Sequence, residues 1–135
     1  MTIGVNYNIK FINLKKGNKI RLWILDISGQ ERFRSVGYYR KTDYFILWYD
    51  VTVRESFENI RNWWFKDVLE FINYKPKGYL IGNKIDLCDK REVTEEEGRA
   101  LANELNLHFF EISCKDDIGI DEFYDDLIND ILRYF

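Results

Sequence analysis

Between Asn8 and Leu14 apolar and polar residues alternate with the two-residue period of a strand, Lys15 to Lys19 holds a Gly-Asn turn signal, and Ile20 to Leu25 returns as a second apolar strand. That spacing predicts an antiparallel hairpin. From Glu31 to Thr42 the charges and Gly37 predict an irregular segment, after which Tyr44 to Val51 reads as a buried strand. Ile60, Trp63, Trp64, Val68, Leu69 and Ile72 then recur at helical spacing, predicting a helix capped by Ser56 that runs to about Tyr74, where Lys75 to Gly78 breaks it. Tyr79 to Gly82 is a short apolar strand. Thr94 followed three residues later by Glu97 has the reciprocal pattern of a capping box, so a helix opens there, continues through Ala100, Leu101 and Leu105, and ends at Asn106. His108 to Ser113 reads as the next strand, and Asp121 to Tyr134 as an amphipathic helix with Phe123, Leu127, Ile128, Ile131 and Leu132 inward. Strands alternating with helices predict an α/β fold with a parallel sheet and right-handed crossovers.

Composition narrows the function more than the fold. A chain of 135 residues, 46% of them hydrophobic, suits one domain spanning residues 1–135 with a core of its own. A net charge of -3, from 20 basic and 23 acidic residues mixed along the chain, excludes a nucleic-acid binder that works by neutralising phosphates. Cys88 and Cys114 match no metal-ligand spacing and read as reduced thiols of a cytoplasmic protein. The longest apolar run, Tyr44 to Tyr49, has the length of a strand, not of a membrane span, and the C-terminal Leu-Arg-Tyr-Phe offers no cysteine for prenylation.

Candidate chemistry sits where predicted strands end. Ile20 to Glu31 runs an apolar strand into Asp26, Gly29 and Gln30. A carboxylate at that place can hold magnesium through water, a glycine lets a backbone N–H approach a terminal phosphate, and a glutamine can orient an attacking water. Asp-x-x-Gly also ends ordinary turns, so both readings of this stretch stay open. Asn83-Lys84-Ile85-Asp86 follows another strand. There an Asp carboxylate can accept two hydrogen bonds from the N1–H and exocyclic amine of guanine, a pair of donors that adenine lacks, while the Lys84 stem lies over the ring and Asn83 ties the loop to its neighbours. Glu111 to Lys115 follows the next strand and can offer a backbone N–H to the guanine O6, with Ser113 steadying Asp86. Taken singly, the first stretch reads more readily as a polar loop and the second as a plain strand end.

Together and in this order, the pieces resemble the Ras superfamily of small GTPases, and within it the Rab family, over essentially the whole chain. Thr2-Ile3-Gly4-Val5 resembles the end of switch I, and Asp26 to Phe33 resembles the Asp-Thr-Ala-Gly-Gln-Glu-Arg-Phe motif. Tyr38-Tyr39-Arg40 resembles the Rab switch II signature, Asn83 to Asp86 the guanine motif, and Asp89 to Thr94 further Rab sequence. The resemblance implies a P-loop-NTPase-like sheet with helices on both faces, GTP or GDP with Mg2+ as cofactors, and a GTP/GDP switch in vesicle trafficking. By that resemblance Thr2 and Asp26 serve magnesium, Gly29 the γ-phosphate and Gln30 the hydrolytic water, while Asn83, Lys84, Asp86, Ser113, Cys114 and Lys115 serve guanine. Ile3, Gly4, Val5, Tyr7, Leu25, Arg32, Phe33, Tyr38 and Tyr39 would face effectors, alongside an exchange factor and a GTPase-activating protein as partners. The protein would be cytoplasmic, reaching internal membranes only through a prenylated tail in a longer form.

Departures from the family pattern set the alternatives. The phosphate loop, Gly-x-x-x-x-Gly-Lys-Ser/Thr, occurs nowhere in the sequence. The resemblance places its strand between those ending at Asp26 and near Asp50, so the chain is expected to lack that first strand, the loop and the first helix, and to be an incomplete folding unit. Ser28 and Cys114 stand in place of alanines, Leu25 replaces a tryptophan of the effector-facing triad, and the chain is shorter than the Rab pattern between Ser35 and Tyr38. Three readings follow: a Rab-like switch, a nucleotide-independent pseudo-GTPase that binds partners, and a flavodoxin-like α/β domain.

Overall fold

A computed structural model of the chain describes residues 5–13, 17, 19–27, 43–71 and 77–134. It comprises two compact units, residues 1–36 and 37–135. In the first, β1 (Val5–Asn13) and β2 (Lys19–Ile27) pair antiparallel, with Tyr7 opposite Leu25 and Asn6 opposite Asp26. Gly17, at φ 78°, supplies the left-handed residue between the strands, a conformation that costs glycine nothing. The predicted hairpin is therefore present, β1 starting before its predicted start and β2 running beyond both of its predicted ends, while Leu14 lies outside the described residues.

The second unit alternates strands and helices: β3 (Tyr44–Asp50), α1 (Arg54–Asn59), α2 (Phe65–Phe71), β4 (Lys77–Asn83), α3 (Glu95–Leu105), β5 (His108–Glu111) and α4 (Ile120–Tyr134). Its three strands form a parallel sheet in the order β3-β4-β5, with Asp50 beside Asn83 and Gly82 beside Glu111. A parallel sheet needs cover on both faces, and the alternating side chains supply two cores. On one face Leu47, Tyr49 and Leu80 pack with Phe57 of α1, Ile60 just after it, Val68 of α2, and Leu101 and Ala102 of α3. On the other, Tyr79, Ile81 and Ile112 pack with Phe123 of α4, and Tyr44, Ile46, Phe110 and Leu127 close around them. Trp48 shares the second face but is 46% exposed, so β3 is less buried than its composition predicts.

The capping box at Thr94 and Glu97 is present with both of its bonds, and α3 stops at Asn106 in the left-handed conformation. The helix predicted from Ser56 to about Tyr74 needs correction. It begins at Arg54 with Val53 as its N-cap, and Ile60–Trp64 forms a wider π-helical turn between α1 and α2; residues 72–76 lie outside the described ones. Ser56 instead lies in the first turn, its hydroxyl accepting from the Asp50 N–H at 2.9 Å and donating to the Val53 carbonyl at 2.7 Å. The π turn shifts the helical phase. Ile60 and Val68 stay buried, whereas Trp63 and Leu69, predicted inward, are 42% and 64% exposed.

In α4 the inward stripe is also displaced from the prediction: Phe123 and Ile131 are buried, but Leu132 is exposed and Asp130 is buried in its stead. Buried carboxylates need partners, and Asp130 receives the Tyr44 hydroxyl at 2.6 Å and the Lys77 ammonium at 2.9 Å. One turn earlier Asp126 receives the Tyr79 hydroxyl at 2.9 Å. These bonds fasten α4 to β3 and β4 where apolar contact alone would let it slide.

Burial raises the Asp130 carboxyl, but the hydrogen bonds from Tyr44 and Lys77 and the positive charge beside it outweigh burial and hold it below the ordinary carboxylate value. A folded value below the unfolded one gives stability that is complete above about pH 4 and is lost as pH falls through the folded value. Thermal unfolding midpoints should therefore fall steeply below about pH 4, while Asp130→Asn should cost about 1–3 kcal/mol at neutral pH and flatten that acid limb. Melting curves across the acid range check this, and an unchanged limb in the variant contradicts it.

Candidate functional site

β3, β4 and β5 run parallel and end together, so Asp50, Asn83 and Glu111 bring three loops to one edge of the sheet. Open α/β sheets bind their ligands at this carboxyl edge. Asn83 links two of the loops through one atom. Its Oδ1 accepts the Lys84 N–H at 2.8 Å from its own loop and the Cys114 N–H at 3.3 Å from the loop after β5. The backbone repeats the link, with the Ile112 N–H on the Gly82 carbonyl at 2.8 Å and the Ile85 N–H on the Ile112 carbonyl at 3.3 Å.

Ser113 is fully buried beneath this junction. Its hydroxyl donates to Asp86 Oδ1 at 2.8 Å and accepts the Asp116 N–H at 3.0 Å. Both hydroxyl functions are used, so the serine cannot rotate without leaving a buried group unpaired. The loop closes on itself through paired backbone bonds between Ser113 and Ile118, and it leaves through Gly119 at φ 76°. A Cβ there would meet the Glu111 carbonyl oxygen at 2.5 Å, so only glycine fits.

Asp86 thus has one oxygen fixed by Ser113, and among the described residues Oδ2 accepts no hydrogen bond. A carboxylate offers about four lone-pair sites, so two adjacent N–H donors can still be received. Lys84 stands at φ 70°, unusual for a residue with a Cβ, and its ammonium lies 2.8 Å from Asp50 Oδ2. That carboxylate raises the lysine's pKa. Asp50 is pushed up by burial, yet the hydrogen bonds from Lys84 and from the Thr52 hydroxyl and amide bring its carboxyl below the ordinary value. Cys114 and Lys115 are exposed at the rim. Among the described residues the Lys115 amide finds no protein acceptor, so it is a donor open to a ligand.

The structure accordingly brings together Asn83, Lys84, Asp86, Ser113, Cys114 and Lys115, the residues singled out from two loops thirty positions apart. Of the remainder, Val5 and Tyr7 lie on β1 and Leu25 and Asp26 on β2. Thr2, Ile3, Gly4, Gly29, Gln30, Arg32, Phe33, Tyr38 and Tyr39 fall outside the described residues. Asp50 at the end of β3, Thr52 just after it and Ser56 in α1 were not anticipated as part of this edge. The available signal was that β3 and β4 each end on a polar residue, which parallel pairing sets side by side.

A planar heterocycle presenting two neighbouring N–H donors and a carbonyl acceptor, as guanine does, fits this donor and acceptor set. Among the described residues there is no group of three or more His, Cys, Asp or Glu placed to hold a metal ion.

The fold is of the α/β class, and the chain matches the Ras family over residues 1–133. It belongs to that family. It is 42% identical over 134 residues to the GTP-binding protein ypt2 of Schizosaccharomyces pombe, covering 98% of this chain and 66% of that protein. It is 41% identical over 133 residues to the Ras-related protein Rab-13 of Bos taurus, covering 97% of this chain and 64% of that one. To the human Ras-related protein Rab-12 it is 38% identical over 135 residues, 98% of this chain and 54% of the relative. Within the Ras family the chain is thus Rab-like. It spans less than two thirds of the length of these relatives. Ras-family proteins generally bind GTP or GDP with Mg2+.

Asn83 is the atom-level staple of the site, and Asn83→Ala should leave the Lys84 and Cys114 amides without their acceptor at a cost of about 1–3 kcal/mol. Amide exchange read by NMR should accelerate first at those residues and at Ser113. Protection there equal to that of the unsubstituted protein contradicts the staple.

Proposed function

We propose that this chain is the guanine-recognising portion of a Rab-like GTP-binding protein that acts as a GTP/GDP switch in intracellular vesicle trafficking, residues 1–135 belonging to one small-GTPase domain. The observation that carries the reading is the junction in which Asn83 Oδ1 holds both loops and buried Ser113 fixes Asp86 Oδ1. A free polar loop has no need of that cost in order. Membership of the Ras family and similarity to the GTP-binding protein ypt2 support it.

In this reading Asp86 accepts the N1–H and exocyclic amine of guanine, and the loop of Cys114 and Lys115 donates a backbone N–H to O6. The stem of Lys84 lies along the ring. A preformed acceptor pair discriminates strongly, because a base lacking either donor leaves a partly buried carboxylate unpaired. Adenine, which presents an acceptor at N1 and no C2 amine, is rejected on that ground. Thr2 and Asp26 serve magnesium, which would neutralise phosphate charge; Gly29 meets the terminal phosphate and Gln30 orients water for hydrolysis. Ile3, Gly4, Val5, Tyr7, Leu25, Arg32, Phe33, Tyr38 and Tyr39 face an exchange factor, a GTPase-activating protein and effectors. The protein works in the cytoplasm.

Base identity tests this reading. Asp86→Asn replaces one acceptor by a donor, so preference should shift from guanosine diphosphate toward xanthosine diphosphate, whose C2 oxo group accepts, by about tenfold or more. Competition binding measures the ratio in both proteins. An unaltered ratio removes Asp86 from base reading, and failure of either nucleotide to bind the unsubstituted protein favours the nucleotide-independent interaction protein.

A further inference from the structure

We infer that Asp50, at the end of β3, is a positioning residue for the base-reading loop, holding the Lys84 side chain in place before nucleotide arrives. The inference rests on the guanine-site reading above and adds to it a residue outside both base loops. Parallel register puts Asp50 directly beside Asn83, one residue before the lysine. The Asp50 oxygens divide their work. Oδ1 accepts the Thr52 N–H at 2.8 Å and the Thr52 hydroxyl at 2.6 Å, while the backbone N–H of Asp50 donates to Ser56 Oγ at 2.9 Å. These bonds leave the carboxylate little freedom, and Oδ2 is presented to Lys84 Nζ at 2.8 Å.

Lys84 is consequently held at both ends, its N–H by Asn83 Oδ1 at 2.8 Å and its ammonium by Asp50. A lysine stem has four rotatable bonds, and one left free would lose that freedom when a base settled against it. Held at both ends beforehand, the methylenes form a ready shelf, and preorganisation of this kind appears as affinity. The lysine side chain remains 53% exposed, so the stem keeps an open surface for a ring. A half-exposed ion pair adds little to stability, which makes a positioning role separable from a structural one.

Two variants and their combination decide the matter in the full protein, with guanosine diphosphate as probe. Asp50→Asn keeps an oxygen for Thr52 and removes the negative charge from Lys84; Lys84→Met keeps an apolar stem and removes the ammonium. Each should weaken binding by several-fold to about tenfold, and the double variant should be no weaker than either single one, because both remove the same contact. Preference for guanine over xanthine should stay unchanged, since Asp86 is untouched, and the Lys84 ammonium signal in NMR should be lost in Asp50→Asn. Affinity equal to or tighter than that of the unsubstituted protein in both single variants, or losses that add in the double, would overturn the inference. Absence of binding by the unsubstituted protein would remove the guanine-site reading and this inference together, whereas binding that ignores both substitutions would remove the inference alone.

Discussion

A single amide oxygen, Oδ1 of Asn83, receives N–H groups from two loops that leave different strands. Everything at the carboxyl edge of the sheet depends on that sharing. Buried next to the junction, Ser113 has both functions of its hydroxyl committed, one to Asp86 and one to Asp116. Such a network is stable only when every member is satisfied, since a buried donor left over costs more than a single hydrogen bond returns. Asp86 is therefore aimed by the chain before any ligand is present. Among the described residues, the second oxygen of Asp86 and the Lys115 amide are left without a protein partner.

The sheet beneath makes this geometry possible. Three parallel strands place Asp50 beside Asn83 and Glu111 beside Gly82 at one edge, and the two apolar layers cover the faces of the sheet. Close packing sets tight limits near the site: Tyr49 lies under Gly82, where a Cβ would come within 2.8 Å of its hydroxyl oxygen. That hydroxyl is buried without a hydrogen-bond partner among the described residues, and burial raises its pKa. The loop before α3 is fastened to the same strand, with the Glu92 and Val93 N–H groups on the Val51 carbonyl at 2.8 and 3.0 Å. Arg91 adds a two-pronged bond to Glu111 at 2.7 and 3.0 Å. These ties immobilise the scaffold from which the two loops project.

Local chemistry made much of this legible in the sequence. Alternation and the Gly17 turn disclosed the hairpin, Thr94 and Glu97 disclosed the start of α3, and Asn106 its end, because each acts on residues within one turn of itself. The junction of the two loops was legible for another reason: Asn83 to Asp86 and Ser113 to Lys115 are polar stretches that each follow a predicted strand. What escaped depends on contacts that no short window contains. The π turn at Ile60 to Trp64 shifts the phase of a helix whose spacing reads as regular, turning Trp63 and Leu69 outward. Ser56 has the composition of a cap but is claimed by Asp50, and Asp130 interrupts an apolar stripe because Tyr44 and Lys77 await it. The Asp50 to Lys84 pair needs the strand register before it can be seen at all.

The central claim is that the edge formed by residues 83–86 and 113–115 recognises a guanine base. Titration of the isotopically labelled protein with guanosine diphosphate and, separately, adenosine diphosphate, followed through backbone amide NMR signals, addresses it most directly. The account predicts saturable shifts with the guanine nucleotide at Lys84, Asp86, Cys114 and Lys115, and no saturable response there to the adenine nucleotide. Equal responses to both, or guanine-dependent shifts confined to residues away from these two loops, would contradict it.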